Sequence, residues 1–120
     1  MLVGVPKEIK THEYRVGLTP ASVREYLQRG HKVVVETGAG NGIGASDDNY
    51  RHAGAEIVKT AAAVFKAADM IVKVKEPQLE ECAELHEGQI LFPKVLFISA
   101  EDQARFPETL QAQWNLPCGR

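Results

Sequence analysis

Thr19-Pro20-Ala21-Ser22-Val23-Arg24-Glu25-Tyr26-Leu27-Gln28-Arg29-Gly30-His31-Lys32-Val33-Val34-Val35-Glu36 spells a helix and then a strand. Thr19 offers a capping hydroxyl, and Pro20 suits the first helical position, where its missing N–H is not needed. Val23, Tyr26 and Leu27 recur at helical spacing, and Gly30 supplies the left-handed residue that ends a helix. The β-branched run 33–35 then reads as a strand. Upstream, Leu2-Val3-Gly4-Val5 is a second short apolar run, closed by Pro6, which cannot donate to a continuing ladder. Two strands joined through a helix lie parallel, so residues 2–36 form one βαβ unit.

The pattern repeats downstream. Ser46-Asp47-Asp48 cap a short helix through Tyr50 and His52 to Gly54, and Glu56-Ile57-Val58 gives a brief third strand. Thr60 caps an alanine-rich helix from Ala61 to Ala68, followed by a strand from Met70 to Val74 that Pro77 stops. A helix from Glu80 to His86 and a strand opening at Gln89-Ile90-Leu91-Phe92 complete the series. Strands alternating with helices predict an α/β fold, a partial doubly wound parallel sheet of the Rossmann-like or flavodoxin-like kind, with helices on both faces. From Pro93 onward the patterning changes: Val95-Leu96-Phe97-Ile98 suits a strand, but prolines at 107 and 117 interrupt the later runs. The expected division is an ordered domain over 1–92 and a divergent, weakly ordered segment over 93–120.

The chain has 120 residues, enough for one domain, and carries 14 basic against 16 acidic residues. That balance gives no uniform field for nucleic acid or an anionic membrane surface, so recognition must come from a few placed charges. The N-terminal apolar run is too short for a signal peptide, and nowhere do ~18 apolar residues run together, which predicts a cytoplasmic protein outside the membrane. Cys82 and Cys118 lack metal-like spacing and are expected as thiols. His12, His31, His52 and His86 fall in separate elements without ligand spacing, so no metal site is expected. No serine sits in a nucleophile-elbow context, and covalent catalysis is not indicated.

Two cations stand out by position. Arg15 follows the first strand in a polar loop containing Glu13-Tyr14, and Lys75 follows the fourth in Lys73-Val74-Lys75-Glu76-Pro77. Open α/β sheets take ligands outside the carboxyl ends of their strands, so a small anion is the natural guest. A guanidinium grips a carboxylate through two parallel hydrogen bonds, and a lysine can donate to a carboxylate or ketone oxygen. Arg15 fits equally well as a surface residue paired with Glu13 or Glu8, and Lys73 with Lys75 as an exposed strand end. Gly40-Asn41-Gly42-Ile43-Gly44-Ala45 matches the dinucleotide fingerprint. The following helix starts too late for it, however, and places Asp47 and Asp48 where a pyrophosphate would sit. A structural turn is expected instead.

With these residues in hand, the chain resembles the N-terminal domain of the alanine dehydrogenase and nicotinamide nucleotide transhydrogenase family. The resemblance rests on Val3-Gly4-Val5-Pro6-Lys7-Glu8, Glu13-Tyr14-Arg15-Val16, Gly30-His31-Lys32-Val33, Lys73-Val74-Lys75-Glu76-Pro77 and Gly88-Gln89-Ile90-Leu91-Phe92, and covers residues 1–92. Lys-Val-Lys-Glu-Pro favours the alanine dehydrogenase branch. The resemblance implies reversible oxidation of L-alanine to pyruvate and ammonium with NAD, Arg15 holding the substrate carboxylate and Lys75 the pyruvate oxygen. It also implies NAD on a separate central domain, so no cofactor is expected on this chain alone, and oligomers of like chains. Leu96 stands where the family's acid/base histidine belongs. The chain is therefore expected to be a truncated substrate-binding part without dehydrogenase activity of its own. The alternatives are a non-catalytic module for small carboxylates and a subunit of a split transhydrogenase-like enzyme.

Overall fold

The computed structural model describes residues 1–93. Five strands, β1 (Leu2–Val5), β2 (Lys32–Glu36), β3 (Glu56–Val58), β4 (Met70–Lys73) and β5 (Ile90–Pro93), form one parallel sheet in the order β3-β2-β1-β4-β5. Between them run α1 (Pro20–Gln28), α2 (Asp47–Ala53), α3 (Ala61–Ala67) and α4 (Leu79–Cys82). This is the doubly wound α/β order of the Rossmann type rather than the flavodoxin one.

Strand alternation sends each residue to its layer. Val3, Val5, Val33, Val35 and Val72 join one core with Val23 of α1 and Tyr50 of α2. Val34 and Ile71 point the other way, against Val64 and Phe65 of α3. Both cores are buried, as the near-continuous apolar runs of a parallel sheet require. Gly4 marks where α3 comes closest to the sheet, since a Cβ there would lie 2.7 Å from Ala68 Cβ and from Val64 Cγ1.

The caps form as expected. Thr19 Oγ accepts the Ser22 N–H, Thr60 Oγ accepts that of Ala63, and Ser46 forms a reciprocal box with Asn49. Two elements differ. β4 ends at Lys73, and α4 covers four residues in place of the expected helix from Glu80 to His86. A single turn gains little from its own hydrogen bonds. The chain leaves it so that the fully buried Gln89 can donate to the carbonyls of Phe65 (2.7 Å) and Ala68 (2.8 Å) at the end of α3.

The strand order reverses between β1 and β4: β1 leads out toward β2 on one side and β4 toward β5 on the other. Their carboxyl ends therefore flank the crevice in which such sheets bind ligands. Among the described residues no helix is long and apolar enough to cross a membrane.

Candidate functional site

The loop leaving β1 is laced to the segment leaving β4. Glu8, three residues past β1, is buried, and its carboxylate accepts the N–H of Val74 (2.8 Å), the N–H of Lys75 (3.3 Å) and the Lys73 ammonium (3.0 Å). Lys10 pairs with the buried carboxylate of Glu76. Gly17, at the far end of the same loop, lies so close to β4 that a Cβ would meet the Val72 carbonyl oxygen at 2.3 Å. Three tethers thus hold the loop that carries Arg15 against the segment that carries Lys75.

Arg15 is largely exposed, with 65% of its side-chain surface accessible. Its Nε donates to Glu13 Oε2 at 3.0 Å and its Nη2 to Glu13 Oε1 at 2.9 Å, while its backbone N–H reaches Oε2 at 2.8 Å. The ion pair with Glu13 that the sequence left open is therefore formed. Of the five N–H donors of a guanidinium, these bonds use two, so the Nη1 end is still able to take a carboxylate. The hydrogen bond from Arg15 holds the Glu13 carboxyl below the usual carboxylate range; burial opposes it, and the charge of Lys75 adds a smaller pull downward. Glu13 in turn raises the Arg15 guanidinium further.

An open cavity of about 410 Å³ lies beside this pair. Lys7, Lys10, His12 and Arg15 line one wall, and residues of the Gly-rich stretch, Gly38 to Gly42, form the other. His12 adopts φ +63°, the one left-handed non-glycine among the described residues, and its Nδ1 lies 3.1 Å from the Tyr14 hydroxyl. The half-buried Lys75 does not line this cavity.

The Gly-rich stretch serves backbone packing. Gly42 sits against Tyr14, where a Cβ would lie 2.1 Å from the carbonyl oxygen, and Gly40 is pressed between Ala45 and Tyr50. Asp47, in the first turn of α2, already accepts the Gly38 N–H (2.9 Å) and the Thr37 hydroxyl (2.5 Å). Those bonds hold its carboxyl below the ordinary range. A nucleotide phosphate would meet a carboxylate there, so the Gly-rich stretch does not fit the dinucleotide fingerprint. The described residues contain no cluster of three His, Cys, Asp or Glu side chains able to hold a metal ion.

Lys73 corrects the reading of an exposed lysine pair. It is 1% exposed, and its ammonium is shared among Glu8 Oε1 (3.0 Å), the Lys75 carbonyl (3.1 Å) and Glu81 Oε1 (3.3 Å). Its phase carried the signal: it alternates with Val72 and follows Ile71 onto a covered face of a central strand, where a charge needs a partner. Glu8 and Glu81 are the carboxylates that meet this need, and sequence reasoning assigned neither of them that role. Glu81 is buried deeply enough that desolvation pushes its carboxyl up despite Lys73. Leu96, Phe97, Phe106, Trp114 and Cys118, and with them the divergent segment from Lys94 on, lie outside the described residues.

A doubly wound α/β domain with a polar cavity between the loops leaving β1 and β2 is the class these features define. The family model for the N-terminal domain of alanine dehydrogenase/PNT matches residues 4–114, and the chain belongs to that family. It is 51% identical over 92 residues to an alanine dehydrogenase of Mycolicibacterium smegmatis, covering 77% of this chain and 25% of that one. To the alanine dehydrogenase of Bacillus subtilis it is 46% identical over 112 residues, covering 93% and 28%. A solved L-alanine dehydrogenase superposes with a TM-score of 0.75 at 47% identity, over 78% of this chain and 26% of that one. A transhydrogenase from Sinorhizobium meliloti gives 0.71 at 36%, over 76% and 26%. The chain thus spans about a quarter of the length of these relatives.

Proposed function

We propose that this chain is the substrate-binding part of an NAD-dependent L-alanine dehydrogenase, with Arg15 gripping the carboxylate of alanine or pyruvate and Lys75 donating to the pyruvate oxygen. The observation that carries the reading is the lacing of the two loops by Glu8 and Lys10, which holds the loop bearing Arg15 against the segment bearing Lys75. Glu13 orients the guanidinium by one edge, and the substrate carboxylate takes the other. Lys75, as an ammonium, stabilises negative charge on the carbonyl oxygen and disfavours substrates that lack an acceptor there. NAD is the hydride acceptor of the overall reaction, and this reading assigns none of the described residues to it.

Calorimetric titration of the purified chain with pyruvate tests this. Saturable binding is expected, weakened about tenfold or more in Arg15→Ala and in Lys75→Ala, the loss of one charge-assisted contact. Alanine with NAD should give no rise in NADH absorbance. Pyruvate affinity unchanged by both substitutions, or NADH formation by the chain, refutes the reading.

A further inference from the structure

We infer that Glu8 and Lys73 are positioning residues that fix where the Lys75 side chain points. The inference rests on the reading of Lys75 as a substrate contact and extends it to two residues that touch no ligand.

Lys75 lies beyond the sheet. The last ladder pair of β4 is Lys73 with Pro93, and β1 pairs with β4 only as far as Ile71. Among the described residues the backbone at 74 and 75 is held by side chains. Glu8 accepts the N–H of Val74 through one oxygen and that of Lys75 through the other. Lys73 donates to the carbonyl of Lys75. A carboxylate and an ammonium, themselves paired at 3.0 Å, thus bracket residue 75 on its amide and carbonyl sides. Both side chains are nearly inaccessible, 2% and 1% exposed.

The ammonium of Lys73 has three protons and meets three acceptors: Glu8, Glu81 and the Lys75 carbonyl. It has nothing left to offer a ligand. Of the two lysines in Lys73-Val74-Lys75, the first is consumed in holding the second. The third acceptor, Glu81, is the weaker counter-charge, because burial favours its protonated form. Glu8 is then the principal partner of Lys73, and the bracket depends on this pair.

A merely structural pair and a positioning pair make different predictions. The double variant Glu8→Gln/Lys73→Met removes both charges together and keeps side-chain volume, an exchange that buried ion pairs often tolerate without loss of stability. In the full 120-residue chain it is nonetheless expected to lower the urea midpoint, because Glu81 loses its counter-charge and the Lys75 carbonyl its donor, while a cooperative unfolding transition is kept. Pyruvate affinity should fall about tenfold, a loss on the scale of one charged contact. Adding Lys75→Ala to it should weaken binding by less than twofold further, because residues acting through one contact are not additive. The amide exchange of Lys75 should quicken while that of the β2 core stays slow. If the double variant does not fold, Glu8→Gln, in which Lys73 retains Glu81, is read in the same way.

Wild-type affinity in a folded Glu8→Gln/Lys73→Met chain, with Lys75→Ala still weakening binding, overturns the positioning role and leaves the substrate reading intact. Full additivity with Lys75→Ala overturns it also. If pyruvate does not bind, or Lys75→Ala leaves its affinity unchanged, the substrate reading itself has failed and this inference falls with it.

Discussion

Gly42→Ala tests whether the Gly-rich stretch is a packing surface for the Arg15 loop. The added methyl would sit 2.1 Å from the Tyr14 carbonyl oxygen and 2.8 Å from its carbon, whereas ordinary contact begins at 3.4 Å. One backbone must yield by more than an ångström, and no side-chain rotation relieves it. Overpacking of this kind costs about 1–3 kcal/mol. The upper end is expected, because the loop bearing Tyr14 is held before it by Glu8 and Lys10 and after it by Gly17. Against a typical stability of about 5–15 kcal/mol, a loss of about 2–3 is readily measured in urea. Tyr14 adjoins Arg15, so the same displacement should weaken pyruvate binding about tenfold, since misplacement by ~1 Å is costly at an oriented site. Gly44→Ala is the control. No atom lies within 4 Å of its Cβ position, but φ is +77°, so it should cost about 1–2 kcal/mol through backbone strain and leave affinity unchanged. Wild-type stability and affinity in Gly42→Ala would refute the contact, and equal loss of affinity in both variants would refute the argument that packing at Gly42 sets the loop.

Three further outcomes concern buried polar groups. Gln89→Leu removes the donor shared by the Phe65 and Ala68 carbonyls and should lower unfolding free energy by about 2–4 kcal/mol, measured in urea, because two buried acceptors lose their partner. Tyr50→Phe leaves the Leu18 carbonyl without its 2.7 Å hydroxyl and should cost about 1–2 kcal/mol by the same measurement. Burial pushes the Tyr50 phenol up to about 12, above its ordinary 10.0, so its share of stability is intact below pH 10 and lost as pH climbs toward 12; the phenylalanine variant should lack that decline. Glu81→Gln addresses a carboxyl whose folded pKa is raised above the ordinary 4.5. The folded chain binds the extra proton, so wild-type stability falls as pH rises from about 4.5 through the folded value, and the variant should gain relative to wild type across that window. A constant difference between the two in urea titrations from pH 4 to 8 would contradict the burial of that carboxyl.

Local rules in the sequence were enough for β1, α1, β2 and the caps at Thr19, Ser46 and Thr60, because a capping hydroxyl, a helical period or a β-branched run acts within a few residues. Strand order was not legible in that way. Nothing in Met70-Ile71-Val72 says that it pairs with β1 rather than with β3, which precedes it, since that choice depends on α3 crossing the sheet. Arg15 and Lys75 were legible as cations beyond strand ends. The carboxylates that hold their loops were not, because Glu8 is 65 residues from Lys73 in sequence and becomes its partner only once β4 lies beside β1. Gln89 was hidden for the same reason: its place in the chain suggests the start of a strand, and its amide acts on a helix end 21 residues earlier.

The buried pair Glu8 and Lys73 is an expensive way to fill space beside β4 if stability is its purpose. Taking Glu8 and Lys73 out of water costs several kcal/mol per ion, and their attraction returns little more than that, so two apolar side chains of similar size would serve the core as well. What an apolar pair could not do is accept two consecutive backbone N–H groups and donate to the next carbonyl, beyond the last rung of the sheet. Among the described residues no strand bonds the backbone at 74 and 75, and polar backbone groups left without partners are costly. Side chains reaching from the adjoining strand's loop substitute for that missing neighbour. The same bonds that satisfy the backbone at 74 and 75 therefore spend Lys73 on structure and leave Lys75 as the lysine of the pair not consumed by them.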